Sequence, residues 1–215
     1  MRFACSGLLI LLAVAPSRAQ QPPVIDNDQV RVLVVTDEPR RKSALHEHAT
    51  NRVMVYLDGG ENRLTYEGGR MDDQKFRPGE VRWSPAGGRH ISVNPGDKPF
   101  RVVEVELKGK GHPFTPPQRD PVKLDPQEYK VLIDNDQVRV LRVRIAGNKK
   151  VPLHEHARNR VVVYLTDQRN RVTDESGKVT EATAKAGEVR WAGPAVHSEQ
   201  NLSDQPFEVV VVELK

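Results

Sequence analysis

The 215-residue chain has a single cysteine, Cys5, and it falls in a segment that reads as a leader. Arg2 gives that segment a positive start, Leu8 to Val14 form a short apolar run, and Ser17 and Ala19 supply small residues at the spacing of a cleavage site. Cleavage after Ala19 would leave a mature chain without cysteine. That excludes disulfides, thiolate metal ligands and cysteine nucleophiles. The apolar run of the leader is too short for a stable transmembrane helix. The expectation is therefore a secreted or periplasmic protein with no membrane attachment once residues 1–19 are removed. An excess of one charge is also missing. Arg2 and Arg18 leave with the leader, so 33 basic residues become 31 against 29 acidic ones, a balance of +2. Interspersed signs and no basic stripe argue against a nucleic-acid partner. No nucleophile-elbow sequence and no glycine-rich phosphate loop before a helix is present.

Histidine is scarce as well, with seven in the chain. Six of them fall at matching places in two copies of one pattern. His46-Glu47-His48-Ala49-Thr50-Asn51-Arg52 leads into Val53-Met54-Val55-Tyr56-Leu57, and His154-Glu155-His156-Ala157-Arg158-Asn159-Arg160 leads into Val161-Val162-Val163-Tyr164-Leu165. β-Branched runs of this kind read as strands. Strand side chains alternate faces, so the two histidines of each pair point the same way and the glutamate between them points away. Two imidazoles on one strand face are half of a metal site.

The duplication extends well beyond the histidines. Val24 to Leu33 returns as Leu132 to Leu141, and Gly79-Glu80-Val81-Arg82-Trp83 as Gly187-Glu188-Val189-Arg190-Trp191. The offset is 108 up to the tryptophans and 107 from His90 to His197, so one residue is lost between Trp191 and His197. A repeat this long, present twice, is a duplicated domain. The sequence predicts an N-terminal domain over 20–108, an extended Pro- and Gly-rich linker over 109–123 and a C-terminal domain over 124–215. His112, in the linker, has no counterpart and is read as a solvated side chain. Short β-branched runs (Val30 to Val35, Val53 to Leu57, Val81 to Trp83, Val102 to Leu107) alternate with turn residues, which predicts an all-β sandwich or barrel in each copy. Asp125 to Tyr129 is read as at most one helical turn.

The third histidine of each copy follows a turn. Pro85-Ala86-Gly87-Gly88-Arg89-His90-Ile91-Ser92-Val93-Asn94 gives Pro-x-Gly-x-x-His-x-x-x-Asn, and Pro194-Ala195-Val196-His197 with Asn201 is a shortened version. With the His-x-His pairs and Gly79, this resembles the two motifs of the cupin superfamily, over essentially the whole mature chain. The resemblance implies a bicupin, two tandem jelly-roll β-barrels. It implies a divalent metal ion held by His46, His48 and His90 in one barrel and by His154, His156 and His197 in the other. The family also uses a glutamate shortly after the paired histidines. Here that position holds Arg52 and Arg160.

A guanidinium beside a divalent cation is repelled unless an anion lies between them or the arginine turns outward. Two readings follow: Arg52 and Arg160 clamp an anionic substrate, or they point away and pair with surface acids. Tyr56 and Tyr164 share a strand face with them and join them as candidate substrate-binding residues. Glu80, Arg82 and Glu106, like Glu188, Arg190 and Glu213, are read as charge pairs between neighbouring strands. Imidazole alone does not select among Fe, Mn, Zn, Ni and Cu. The resemblance leaves three functions open: a metal-dependent oxygenase, isomerase or lyase acting on a small molecule; a non-enzymatic ligand-binding module; or a structural protein without a catalytic metal. The fuller turn before His90 predicts that the first barrel has the better-formed site. The lost residue is expected to be absorbed in the turn before His197.

Overall fold

A computed structural model describes residues 22–215. The leader and its cleavage site lie outside the described residues. The first half contains β1 (Ile25–Asp26), β2 (Val30–Asp37), β3 (His46–His48), β4 (Arg52–Tyr56), β5 (Gly60–Tyr66), β6 (Met71–Phe76), β7 (Val81–Ser84), β8 (Gly87–Val93) and β9 (Phe100–Leu107). A short helix, α1 (Pro121–Leu124), follows. The second half contains β10 (Tyr129–Asp134), β11 (Val138–Ile145), β12 (Lys150–His156), β13 (Arg160–Tyr164), β14 (Gln168–Asp174), β15 (Val179–Ala184), β16 (Val189–Ala192), β17 (Ala195–Asn201) and β18 (Phe207–Leu214). The helix forms one turn earlier than the sequence predicts. Asp120 caps it, accepting from the Val122 amide, and Pro121 sits at its first turn, where a missing N–H costs nothing.

Each half is a jelly-roll barrel of two facing sheets. In the first, a five-stranded sheet β1-β2-β9-β4-β7 faces a four-stranded sheet β3-β8-β5-β6. In the second, β10-β11-β18-β13-β16 faces β12-β17-β14-β15. All strand pairs within these sheets are antiparallel.

The central strands of the five-stranded sheets are buried on both faces, and the period-two alternation sorts their side chains. In β4, Val53 and Val55 point out of the barrel while Arg52, Met54 and Tyr56 point in. In β13, Val161 and Val163 point out while Arg160, Val162 and Tyr164 point in. The outward sets meet. Val30, Val53, Val55, Val103 and Val105 from the first half form one apolar core with Val138, Val161, Val163, Val210 and Val212 from the second. Trp83 and Trp191 pack against this shared core. Two reciprocal hydrogen bonds flank it, from the Asn51 amide to Gln137 Oε1 and from the Asn159 amide to Gln29 Oε1. The two halves therefore cover each other's outer sheet face, and the inner faces are left to build cavities. No helix among the described residues is long and apolar enough to cross a membrane.

Candidate metal centres

The paired histidines end up on the four-stranded walls. His46 and His48 lie on β3, which pairs with β8, and His46 stands opposite His90. His154 and His156 lie on β12, and His154 stands opposite His197 on β17. The ring centroids of His46, His48 and His90 are 4.6 to 5.5 Å apart. Those of His154, His156 and His197 are 4.5 to 5.6 Å apart. In each set one nitrogen from each ring lies within 4.8 Å of the others. All six histidines singled out by the repeat thus converge as two triads.

The lost residue is absorbed differently from the expectation. The β3–β8 ladder shifts register between His46 and His48, whereas β12–β17 runs regularly from His154 to His156. The extra residue of the first copy is thus taken up as a strand irregularity, with Gly87 and Gly88 in the left-handed region at φ 91° and 70°. Both third histidines keep the inward face. Asn94 and Asn201 fix the loops that follow, donating to the carbonyls of Lys98 and Gln205 respectively.

The two triads differ in what holds the rings. In the first barrel, His46 Nδ1 lies 2.9 Å from the Ala44 carbonyl and His90 Nδ1 bonds the Gly88 carbonyl. A proton on each Nδ1 leaves Nε2 with its lone pair. His46 Nε2 is buried with no hydrogen-bond partner, as a vacant ligand atom would be. His48 is different. Arg52 Nη1 lies 2.8 Å from His48 Nε2 and donates at 2.9 Å to Glu104 Oε2, while Nη2 donates at 2.8 Å to Ser84 Oγ. The guanidinium occupies the side of His48 that an ion would use. Burial, then the Arg52 charge, holds the His48 pKa down to about 3.

In the second barrel the corresponding contacts are redistributed. Val211 stands where the first barrel has Glu104, and the carboxylates whose charge acts on Arg160 are Glu213 and Glu199. Arg160 instead donates to the Gly193 carbonyl. His156 Nδ1 lies 2.8 Å from Glu213 Oε1, which orients the ring and leaves Nε2 towards the triad. Glu213 Oε2 lies 3.7 Å from Arg139, and Arg139 donates from both terminal nitrogens to the buried Asp120 at 3.0 to 3.1 Å. His154 Nδ1 lies 2.9 Å from the Pro152 carbonyl. Burial, with the Arg160 charge, lowers the pKa of His154 and His156, and burial with the neighbouring histidines and Arg160 holds His197 down to about 3. The same causes favour the neutral form in all three rings, the form in which an imidazole nitrogen can hold an ion.

These contacts revise two expectations. Neither arginine points outward: Arg52 and Arg160 are 5% and 7% exposed and face the cavities. The other concerns the middle histidines: that of the second triad is held by a carboxylate and that of the first is capped by a cation, a difference the turn before His90 does not predict. Glu80 and Arg82 do pair, at 2.7 Å, but two residues apart at the start of β7 and not across strands, as do Glu188 and Arg190 at the start of β16. Arg31 and Glu106 pair across strands at 3.3 Å. His112 is exposed, as expected for the linker.

Each triad opens on a cavity. The first, about 340 Å³, is lined by His48, Arg52, Tyr56, Arg70, Arg82 and His90 among others. The second, about 270 Å³, is lined by Tyr129, His156, Arg160, Tyr164, His197 and Glu199 among others. The proposed substrate-binding residues Arg52, Tyr56, Arg160 and Tyr164 all line a cavity.

No family model and no curated protein matches the chain. Solved structures do. AerE from Microcystis aeruginosa is 15% identical with a TM-score of 0.63, over 90% of this chain and 96% of that one. A cupin 2 conserved barrel domain protein from Leptotrichia buccalis is 10% identical with a TM-score of 0.56, over 90% and 87%. The fold is that of a bicupin. A salicylate 1,2-dioxygenase from Pseudaminobacter salicylatoxidans, 10% identical with a TM-score of 0.63, shares it over 95% of this chain and 78% of that one. At these identities the likeness is one of fold. The histidine triads, the capped His48 and the Glu213-held His156 are read from this chain's own residues.

Sequence reasoning missed Asp120, Arg139, Glu199, Gln168 and Asn170. The first two belong to a linker and a strand whose meeting is tertiary. Glu104 against Val211 was readable in the aligned repeats, since the offset of 107 pairs them.

Proposed function

We propose that this bicupin binds a divalent metal ion through three histidines per barrel and uses it to bind or transform a small molecule. The ion's principal place is at His154, His156 and His197. The first triad, His46, His48 and His90, takes an ion more weakly, because Arg52 must first leave His48. A bound ion supplies a Lewis acid with open positions to a ligand oxygen. The chain's own residues do the rest. Glu213 holds His156 in the tautomer that ligates, burial keeps the imidazoles unprotonated, and the apolar shared core keeps the barrel walls rigid. Arg160 and Tyr164 line the second cavity on the five-stranded sheet and face an acidic end of the ligand, as Arg52 and Tyr56 do in the first. Fe, Mn, Zn, Ni and Cu all suit three imidazoles.

The observation that carries this reading is the convergence of His154, His156 and His197 within 4.8 Å, with Glu213 behind His156. Elemental analysis of untagged protein tests it, with His156→Ala and His48→Ala alongside. We expect metal in the wild type, most of it lost in His156→Ala and little lost in His48→Ala. No metal in the purified protein and none taken up from Zn²⁺, Mn²⁺ or Co²⁺ would overturn it. We also propose export from the cytoplasm, on the strength of the leader; mature protein from an extracytoplasmic fraction should begin at Gln20.

A further inference from the structure

The second barrel carries a group of acceptors that the first lacks. Glu199 stands two residues after His197 on β17, and Gln168 and Asn170 stand two apart on β14. Residues so spaced share a strand face, and all four line the second cavity. Glu199 accepts a hydrogen bond from the Asn170 amide nitrogen. Among the described residues, no lysine or arginine forms an ion pair with it. Asn170 is 2% exposed, and its Oδ1, like Gln168 Oε1, is buried with no hydrogen-bond partner. The matching residues of the first barrel are Gly60, Asn62 and Ser92. There Ser92 Oγ donates to Asn62 Oδ1 at 2.9 Å, so the pair is satisfied and carries no charge.

Buried acceptors that lack a donor are expensive, and proteins keep them where a ligand supplies one. The opposite, five-stranded wall carries Arg160 and Tyr164, which are donors. The cavity thus has a donor wall and an acceptor wall, with the histidine triad beside the second.

We propose that Glu199, Asn170 and Gln168 form a subsite for a hydrogen-bond donor, a hydroxyl or an ammonium, on the ligand of the second barrel. That ligand is a small hydroxy or amino acid. Its carboxylate faces Arg160 and the ion, and its O–H or N–H faces Glu199. The carboxylate end rests on the metal-binding reading given above; the donor end rests on the three acceptors alone.

Calorimetric titration with matched acids tests the subsite: butyrate, 4-hydroxybutyrate, 4-aminobutyrate, propionate, lactate and alanine. The proteins are the zinc-loaded wild type, metal-free His156→Ala and Glu199→Ser. Serine is the first barrel's residue at that place, so the fold accommodates it. A donor-bearing acid should bind about tenfold or more tighter than its hydrocarbon match, since a site built for a polar group rejects the analogue lacking it. Glu199→Ser should erase that gap. The hydroxy and amino members show which donor is preferred. A gap that is absent, one that survives Glu199→Ser, or no binding by any donor-bearing acid overturns the proposal. Failure of the metal reading would show separately, as no zinc uptake, with the donor gap still measurable in His156→Ala.

Discussion

At the scale of single residues, one difference decides how the two triads behave. Arg52 and Arg160 occupy equivalent places, yet Glu104 holds Arg52 on His48 at 2.9 Å while Val211 offers Arg160 nothing. Replacing Glu104 by valine should release Arg52 and raise the metal affinity of the first triad by about tenfold, the scale on which outer contacts tune a site. The measurement is a zinc titration in a His156→Ala background; unchanged affinity would mean that Arg52 does not compete with the ion. Conversely, Glu213→Ala should weaken the second triad by about ten- to a hundredfold and leave the first unchanged. The histidines also set a pH dependence. His48 and His197 are held down to about 3 from 6.5, so the unfolded chain takes up protons before the folded one does. Their contribution to stability is complete above pH 6.5 and is lost as the pH falls towards 3. Glu199 and Glu213, raised by burial to about 7 from 4.5, act in the other direction: their penalty is absent below pH 4.5 and full above 7. The urea midpoint of metal-free protein should therefore drop less between neutral and acid pH in His197→Gln than in the wild type. An equal drop in both would remove His197 as a cause.

At the scale of strands and turns, the two barrels solve one geometric problem in two ways. The third histidine must face inward, and a one-residue change in a strand would turn it out. The first barrel spends its extra residue as an irregularity beside two left-handed glycines, and the second is regular from His154 to His156, with its own irregularity upstream between Val151 and His154. A Cβ on Gly88 would lie 3.2 Å from the Tyr66 ring in addition to the left-handed strain. Gly88→Ala should therefore lower stability by about 1–2 kcal/mol, readable in urea unfolding. Much of this level was legible in the sequence. Period-two runs marked β2, β4, β7 and β9, and the repeated His-x-His fixed which strand faces carry the triads. Three things were not legible. The register of β3 against β8 depends on pairing across more than forty residues of chain. The weight of Glu199 depends on Asn170, which meets it only because β14 pairs with β17. The buried place of Arg52 was likewise hidden, since exposure is arginine's ordinary state and only the inward face of β4 overrides it.

At the scale of the whole molecule, the outward faces of the two five-stranded sheets form a single core. Neither barrel can lose its sheet without exposing the other's valines, so the halves should unfold together. Trp83 and Trp191 report this, since each packs on the shared core from its own half. In Trp83→Phe and Trp191→Phe, the remaining tryptophan's fluorescence should give coincident urea midpoints once the change in overall stability is accounted for by circular dichroism. Fluorescence leading or trailing circular dichroism in either variant would show that the halves unfold separately.

The reciprocal bonds from Asn51 to Gln137 and from Asn159 to Gln29 have a further consequence. A contact that residue i makes on j, and that the counterpart of j returns to the counterpart of i, is the mark of an isologous interface, the kind two identical chains form about a two-fold axis. In a homodimer of that design every substitution strikes both copies at once, so neither pocket can change alone. Joining the copies in one polypeptide removes that constraint while keeping the interface. One half can then hold a capped histidine and the other an acidic pocket, each inherited independently.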